Sequence, residues 1–182
     1  MMYAFWALKI LPALVVELVG KIGAPVLALF VDEDGWLPRF LWWFQTPDNS
    51  CDGDAAHMER WPRDGWGWTW LRRTAWLFRN TAYGFNIVAI GFKWQAGDFK
   101  TVDGDPAVGD RSGVSGLCKW RIVRDGKAVA FQIYYVKHYR IFGTWKCVRA
   151  GAGYKIWGDQ TGQVFGQHWL YFHPCKGSGR QG

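Results

Sequence analysis

Residues 119–135, with the sequence KWRIVRDGKAVAFQIYY, decide the fold of the second half of this 182-residue chain. Two runs of strand-forming residues, 119–124 and 127–135, flank Asp125-Gly126, and both turn residues tolerate the positive φ of a two-residue hairpin. In the second run apolar residues recur at every other position, as in a sheet with one covered face. The stretch therefore predicts an antiparallel β-hairpin.

The sequence after this hairpin continues the strand pattern. Four further short strands are expected between glycine-containing turns: His138–Phe142, Trp145–Arg149, Tyr154–Trp157 and Trp169–Phe172. Residues 117–175 thus predict an antiparallel meander of four to six strands, and the tail 176–182 is expected to be loose.

The residues before the hairpin favour helices. Residues 1–31 are interpreted as an apolar amphipathic helix, and residues 32–96 as a helical region that carries an Asp-rich loop. The Gly- and Asp-rich residues 97–116 are interpreted as a connecting loop. The fold class is therefore α+β, with apolar and amphipathic N-terminal helices followed by the β-meander.

The N-terminal helix has an unusual distribution of side chains. Lys9, Glu17 and Lys21 interrupt the apolar run and share one helical face with small residues, while large aliphatic residues cover the remainder. The longest charge-free run, 22–31, is about half of the ~20 residues that a crossing helix needs. A simple membrane span therefore fits poorly, and a secretory signal also fits poorly because no basic region precedes the apolar run. The helix is expected to lie in a bilayer interface or to pair with another helix; the alternative is a core helix of a soluble domain.

Tryptophan is abundant, with 14 residues in the chain, and apolar residues make up 49% of it. This composition excludes a disordered chain, and the tryptophans fit boundaries that are apolar on one side and wet on the other. The residues expected to contact a membrane are Trp6, Leu11, Val15, Leu18, Ile22, Trp42 and Trp43.

The net charge of +7 is divided unevenly along the chain. Acids dominate residues 32–59, whereas arginines dominate 60–79 and basic residues dominate 111–155. The candidate contacts for lipid headgroups or nucleic acid are Arg72, Arg73, Arg79, Lys119, Arg121, Arg124, Lys137, Arg140, Lys146 and Arg149. Pairing with the acids of the preceding loop, or a soluble sheet face, would explain the same residues.

The loop from Asp48 to Glu59 resembles a calcium-binding loop in its spacing. The candidate oxygen ligands are Asp48, Ser50, Asp52, Asp54 and Glu59, with Gly53 at the position of the sharp turn. Pro62 follows too soon for a long exit helix. Calcium is therefore a possible ligand, and a solvated turn that caps neighbouring helices is the alternative.

Other signatures of catalysis or metal binding are weak. The four cysteines form no Cys-x-x-Cys pair, and free buried thiols are expected. His168, His173 and Cys175 lack a fourth ligand for a soft metal. No nucleophile elbow, Walker loop or dinucleotide fingerprint is present, so nothing argues for an enzyme, although a metal-dependent one based on the Asp-rich loop stays open.

Three motifs resemble an uncharacterised family of tailed-bacteriophage proteins. They are Trp43–Asn49 with Asp52-Gly53-Asp54, then Leu77–Asn80 with Ala82–Phe85, and finally Gly153–Trp157. The resemblance implies a viral product that acts inside a bacterial cell, and it implies no activity, substrate or catalytic residue.

Together these observations predict a non-enzymatic phage accessory protein at the cytoplasmic side of the host inner membrane. Its partner would be the membrane or a host protein. The alternatives are a nucleic-acid-binding module in the host cytoplasm, which would use the basic aromatic sheet, and the metal-dependent enzyme.

Overall fold

A computed structural model describes residues 2–158 and 164–180, without the side chains of residues 157 and 158. The helices are α1 (Met2–Leu8), α2 (Ile10–Leu27), α3 (Ala55–Arg60) and α4 (Trp66–Asn80), with 3-10 turns at Ala28–Phe30 and Arg39–Phe44 and a π-helical turn at Phe85–Ala89. The strands are β1 (Phe92–Lys93), β2 (Phe99–Gly104), β3 (Gly116–Arg124), β4 (Lys127–Ile141), β5 (Thr144–Gly158) and β6 (Val164–Gly177).

The six strands form one antiparallel sheet in the order β1-β6-β5-β4-β3-β2. The β3–β4 hairpin turns at Asp125 and Gly126, whose φ angles are 49° and 73°, as the two-residue turn requires. The α+β class and the antiparallel meander predicted from sequence are therefore confirmed.

The strands after the hairpin are longer than the short strands predicted. Gly151 and Gly153 lie inside β5 rather than in a turn, and both positions must be glycine because neither has room for a side chain. The rings of Trp169 and Tyr171 cover Gly151, and the carbonyl oxygen of Phe131 approaches Gly153, whose φ is 109°. Glycine here permits close packing within a strand.

Two segments that the sequence predicts to be loops contain strand residues. Phe99–Gly104 falls inside the segment interpreted as a connecting loop, yet it forms β2 as the edge partner of β3. The sequence did not predict this strand, because its six residues are all exposed and show no alternation of apolar and polar side chains. At the other end, Lys176 and Gly177 belong to β6 rather than to a loose tail, since they pair with Cys147 and Lys146.

The helical half and the sheet have separate cores. In the helical half Ala24 and Leu27 of α2 pack with Leu37, Cys51, Trp76 and Leu77. On the sheet, Val108 packs with Cys118, Val136 and Cys147. The N-terminal helix joins the two halves, because Trp6 packs on Phe131 of β4 while Ala24 lies in the helical core.

Candidate functional site

The most distinctive feature is the orientation of α2. The buried residues Ala13, Gly20, Ala24 and Leu27 recur on one face, and three of these four are small. The large apolar residues of the N-terminal helix that are more than half exposed are Tyr3, Phe5, Leu8, Leu11, Leu14, Val15, Leu18, Val19, Ile22, Val26, Leu29 and Phe30. This arrangement is the reverse of a soluble amphipathic helix, which buries its large residues. A contiguous apolar surface of this kind marks an interaction site.

The small residues on the inner face allow α2 to approach the rest of the chain closely. A Cβ atom at Gly20 would collide with the hydroxyl of Thr81 and lie 2.8 Å from the Phe44 ring. Glycine is therefore required where α2 crosses the turn after α4 and the 3-10 turn Arg39–Phe44.

Polar contacts hold both ends of the N-terminal helix to the body. The Trp6 indole donates to the carbonyl oxygen of Gly153 at 2.9 Å, and the Lys9 ammonium donates to the carbonyl oxygen of Ile90 at 2.9 Å. Near the other end, the Trp70 indole donates to the Pro25 carbonyl oxygen at 2.9 Å. The helix is thus docked along its length, and only its outer face is free.

The N-terminal helix is long enough and apolar enough to cross a membrane. Met2–Phe30 spans 29 residues, and its most apolar window of 18 residues has a mean hydropathy of 1.9 and is 22% buried within the protein. By length and composition alone it could span a bilayer, whereas the charge-free run had indicated a poor fit. The contacts at Trp6, Lys9 and Trp70 would have to break if the helix crossed, since they tie it to the body.

The predicted membrane contacts divide into two groups. Leu11, Val15, Leu18, Ile22, Trp42 and Trp43 are exposed. Trp6 differs, because its ring lies between Phe131 and His168 and its indole nitrogen is bonded to Gly153. Sequence periodicity could not reveal this, since the sheet that covers Trp6 comes more than a hundred residues later.

The basic residues predicted to contact headgroups or nucleic acid fall into two groups, and the first group forms ion pairs within the protein. Arg72 and Arg73 are not free to meet headgroups, because both donate to the Asp52 carboxylate at 2.9–3.0 Å. Arg124 is paired with Asp98, and Arg149 is paired with Asp110. Arg79 lies 3.6 Å from Asp54 and stays partly exposed. The proposed pairing between the acidic loop and the arginine-rich helix is therefore observed.

Other predicted basic contacts remain unpaired. Lys119, Arg121, Lys137, Arg140 and Lys146 form no ion pair within residues 2–158 and 164–180. Register places Arg121 opposite Phe131 and therefore on the same face of the sheet as Phe131, whose ring contacts Tyr3 and Trp6 of α1. Lys119 also lies on that face, with Asp103 opposite it on β2. Cations that form no ion pair with the described residues therefore lie on the sheet face that carries Phe131, on which α1 packs.

The Asp-rich loop uses its oxygens to hold the fold. Asp52 binds the two arginines, and the Asp54 carboxylate caps α3 by accepting the His57 amide at 2.8 Å. Among the described residues, no group of three His, Cys, Asp or Glu side chains is placed to hold a metal ion. Asp48, Ser50 and Glu59 complete the predicted ligand set, and calcium binding here stays a prediction.

The two histidines of β6 that were considered as soft-metal ligands lie on opposite faces of the sheet. His168 donates a 3.2 Å hydrogen bond from Nε2 to the Trp6 carbonyl oxygen, and so it supports α1. Because the oxygen can only accept, Nε2 carries the proton. His173 lies five positions further along β6 and faces the opposite side of the sheet.

The environment of the acidic residues explains their ionisation. Burial alone would raise the pKa of Asp52, but hydrogen bonds from Arg73 and Arg72 outweigh it and lower the pKa. At Asp110 burial also opposes ionisation, and Lys176 and Arg149 lower the pKa well below its usual range. Both carboxylates are therefore charged partners in the folded protein. Burial raises the pKa of the Cys51 thiol to about 12, so this thiol is unreactive.

Two of the motifs meet in space. The Gly84 amide donates to the Gln45 carbonyl oxygen at 2.9 Å, and Trp43 contacts Phe85 edge to face at 5.3 Å. A Cβ atom at Gly84 would collide with the carbonyl oxygen of Trp42. Beside this junction lies a pocket of about 370 Å³, lined by Trp36, Arg39, Trp42, Trp43, Gln45, Pro47, Gly84 and Val88.

Sequence reasoning missed this pocket and the cluster around Asp110. Asp110 accepts from Tyr134 at 3.1 Å, from Arg149 at 2.8 Å and from Lys176 at 2.8 Å, and it closes the loop 105–115 over the sheet. Its only sequence signal was that it is one of the aspartates of the predicted Gly- and Asp-rich loop. For the pocket, the tryptophans near Arg39 were a signal, although their mutual placement depends on the distant Gly84.

Comparison with other proteins gives a family and no activity. No curated protein and no solved structure matches the chain. A family model described as a family of unknown function, DUF7338, matches residues 1–180. The chain therefore belongs to the family of unknown function DUF7338.

Proposed function

We propose that this protein is a non-enzymatic accessory protein that binds a membrane surface through the outer face of α1 and α2. The observation that carries the proposal is the inverted helix, with small residues inward and large aliphatic residues outward. Each outward leucine or isoleucine would gain hydrophobic free energy on entering lipid.

The helix would lie in the plane of the membrane. Its inner polar residues support this orientation: Lys9 is bonded to the body, and Lys21 pairs with Glu17 at 2.6 Å. A helix that binds in the interface keeps one face on the protein or in water and buries the other by about 5–10 Å. The docking contacts then remain intact.

Charge favours a lipid surface over a second copy of the chain as the covering partner. The protein carries a net charge of +7, and Arg121 and Lys137 on the sheet form no ion pair with any described residue. Two such surfaces facing each other would repel, whereas anionic lipids attract each nearby cation by about 1 kcal/mol.

The membrane would be the cytoplasmic leaflet of a bacterial host, in a cell infected by a tailed phage. The cytoplasmic leaflet is anionic, and the buried free thiols Cys51, Cys118 and Cys147 suit a reducing compartment. The phage origin is supported only by the motif resemblance. A host membrane protein is the alternative partner at the same surface.

Vesicle flotation tests the proposal. Purified protein is mixed with vesicles of phosphatidylcholine alone, or with vesicles that contain phosphatidylglycerol, and bound protein is separated on a density gradient. We expect flotation with both and stronger flotation with the anionic vesicles. Failure to float with either composition, for folded protein that is monodisperse without detergent, would refute membrane binding.

The same preparation tests the nucleic-acid alternative. A single-stranded oligonucleotide is titrated at two salt concentrations, because phosphate contacts make affinity fall steeply with salt. Salt-dependent oligonucleotide binding without flotation would favour the basic sheet as a nucleic-acid surface.

A further inference from the structure

The tryptophan-lined pocket has rigid walls. The Trp42 indole donates to the Leu37 carbonyl oxygen at 2.7 Å, and the Leu37 amide donates to the Gln45 side-chain oxygen at 2.7 Å. Leu37 is itself buried and packs in the helical core. The pocket is thus formed by the folded chain before any ligand arrives.

The polar side chains of the pocket are unused donors. The Leu37 amide fixes the side-chain oxygen of Gln45, so the other terminus is the amide nitrogen, which donates to no protein group among the described residues. Gln45 is 97% buried, since only 3% of its surface is exposed. Arg39 also lines the pocket and has no hydrogen bond or ion pair in the described part of the chain. Among the described residues no carboxylate lines the pocket, so it favours an anion.

The rest of the lining is apolar and belongs to segments next to α2. Trp42, Trp43 and Val88 are each more than half exposed at the pocket. The 3-10 turn that carries both tryptophans also carries Phe44, which packs against α2 at Gly20. A molecule in this pocket would therefore have an anionic group at Arg39 and Gln45 and an apolar part against the tryptophans.

We propose that this pocket binds the phosphodiester headgroup of an anionic phospholipid, with Arg39 and Gln45 holding the phosphate and the tryptophans contacting the glycerol and the upper acyl chain. This inference rests on the proposed membrane function and adds a specific lipid site to it. A guanidinium–phosphate contact is a charge-assisted hydrogen bond, which is stronger than a neutral one. The pocket volume of about 370 Å³ suits a headgroup with part of a chain.

The test uses short-chain lipids below their critical micelle concentration, so that binding does not require a bilayer. Dihexanoyl phosphatidylglycerol, dihexanoyl phosphatidylcholine and inorganic phosphate are titrated separately into the full chain by calorimetry. We expect phosphatidylglycerol to bind most tightly. Arg39→Gln should weaken its binding roughly tenfold or more, the effect of one charged hydrogen bond. Val88→Asp, at an exposed position of the lining, should weaken it as well by repulsion.

Arg111→Gln is the matched control, because Arg111 is exposed and its side chain has no hydrogen bond or ion pair in the described residues. It removes the same charge from the loop on the sheet and should leave binding unchanged. Equal losses with Arg111→Gln and Arg39→Gln would reduce the effect to net charge and overturn the pocket. Phosphate binding as tightly as phosphatidylglycerol would overturn the lipid assignment.

Failure of this inference can be separated from failure of the membrane function. If the protein floats with vesicles but does not bind dihexanoyl phosphatidylglycerol, the pocket proposal fails and the helix surface stands. If it binds neither vesicles nor the short-chain lipid, both proposals fail. If the short-chain lipid binds without flotation, the pocket stands and the membrane surface fails.

Discussion

Replacing three outward residues of α2 with glutamine should detach the protein from vesicles without unfolding it. Leu11, Leu18 and Ile22 are 70%, 61% and 74% exposed. Full burial of such a side chain is worth about 2 kcal/mol, so the exposed two-thirds offers about 1.3 kcal/mol to lipid. The triple variant Leu11→Gln, Leu18→Gln, Ile22→Gln should therefore lose about 4 kcal/mol of membrane binding, roughly a thousandfold in partition.

Vesicle flotation measures that loss, and thermal melting checks that the fold survives. Exposed substitutions away from the core change the free energy of unfolding by about 0.5 kcal/mol or less, so the melting temperature should stay nearly constant. Ala24→Leu, on the inner face of the same helix, is the contrasting control. It should destabilise the fold by about 1–3 kcal/mol through overpacking. Unchanged partition of the triple variant would refute the assignment of the outer face to lipid, and a large fall in its melting temperature would show that this face is part of a protein core.

Three further predictions concern the fold. Asp52→Asn should lower the free energy of unfolding by about 3 kcal/mol in urea titration, because the buried Arg72 then keeps only the exposed and more distant Asp64 as a charged partner. Asp64→Asn should cost less than about 1 kcal/mol, because Asp64 is exposed. Equal costs would contradict the importance of the buried pair. The free energy of unfolding should fall as pH drops below about 4, because the pKa values of Asp52 and Asp110 are lowered in the folded state. The stabilisation from these two carboxylates is complete above the unfolded pKa near 3.9 and is lost as each carboxylate is protonated. A stability profile that rises on acidification would contradict this sign. Gly84→Ala should lower the melting temperature because its Cβ meets the Trp42 carbonyl, while Gly67→Ala in the open first turn of α4 should be neutral or slightly stabilising.

Local chemistry made part of the fold predictable. The Asp125-Gly126 turn and the alternation after it predicted the hairpin correctly, because both signals come from neighbouring residues. The pairing of the Asp-rich loop with the arginines was also foreseeable, since opposite charges follow each other closely in the chain. What a helical wheel could show for α2 was the separation of small and large residues into two faces.

Long-range contacts made the remainder unpredictable. Gly151 and Gly153 have the composition of turns, and only the rings and carbonyl that pack on them explain their place inside β5. The exposed strand β2 depends on pairing with β3 rather than on its own pattern. Similarly, nothing local distinguishes Trp6, which packs on the sheet, from the exposed Trp42 and Trp43. Only the folded chain shows which tryptophans are free.

The most direct test of the membrane surface is the accessibility of a nitroxide label attached at Leu18→Cys. The label is introduced in a Cys175→Ser variant, because Cys175 is exposed whereas Cys51, Cys118 and Cys147 are buried. Spin relaxation by oxygen, which concentrates in lipid, is compared with relaxation by a water-soluble nickel chelate, before and after anionic vesicles are added. If this face inserts into lipid, vesicles should increase relaxation by oxygen and decrease relaxation by the nickel chelate at this site. A label at Lys127→Cys, next to the hairpin turn, should stay accessible to nickel. A Leu18 label that remains equally accessible to nickel on vesicle-bound protein would contradict insertion of this face.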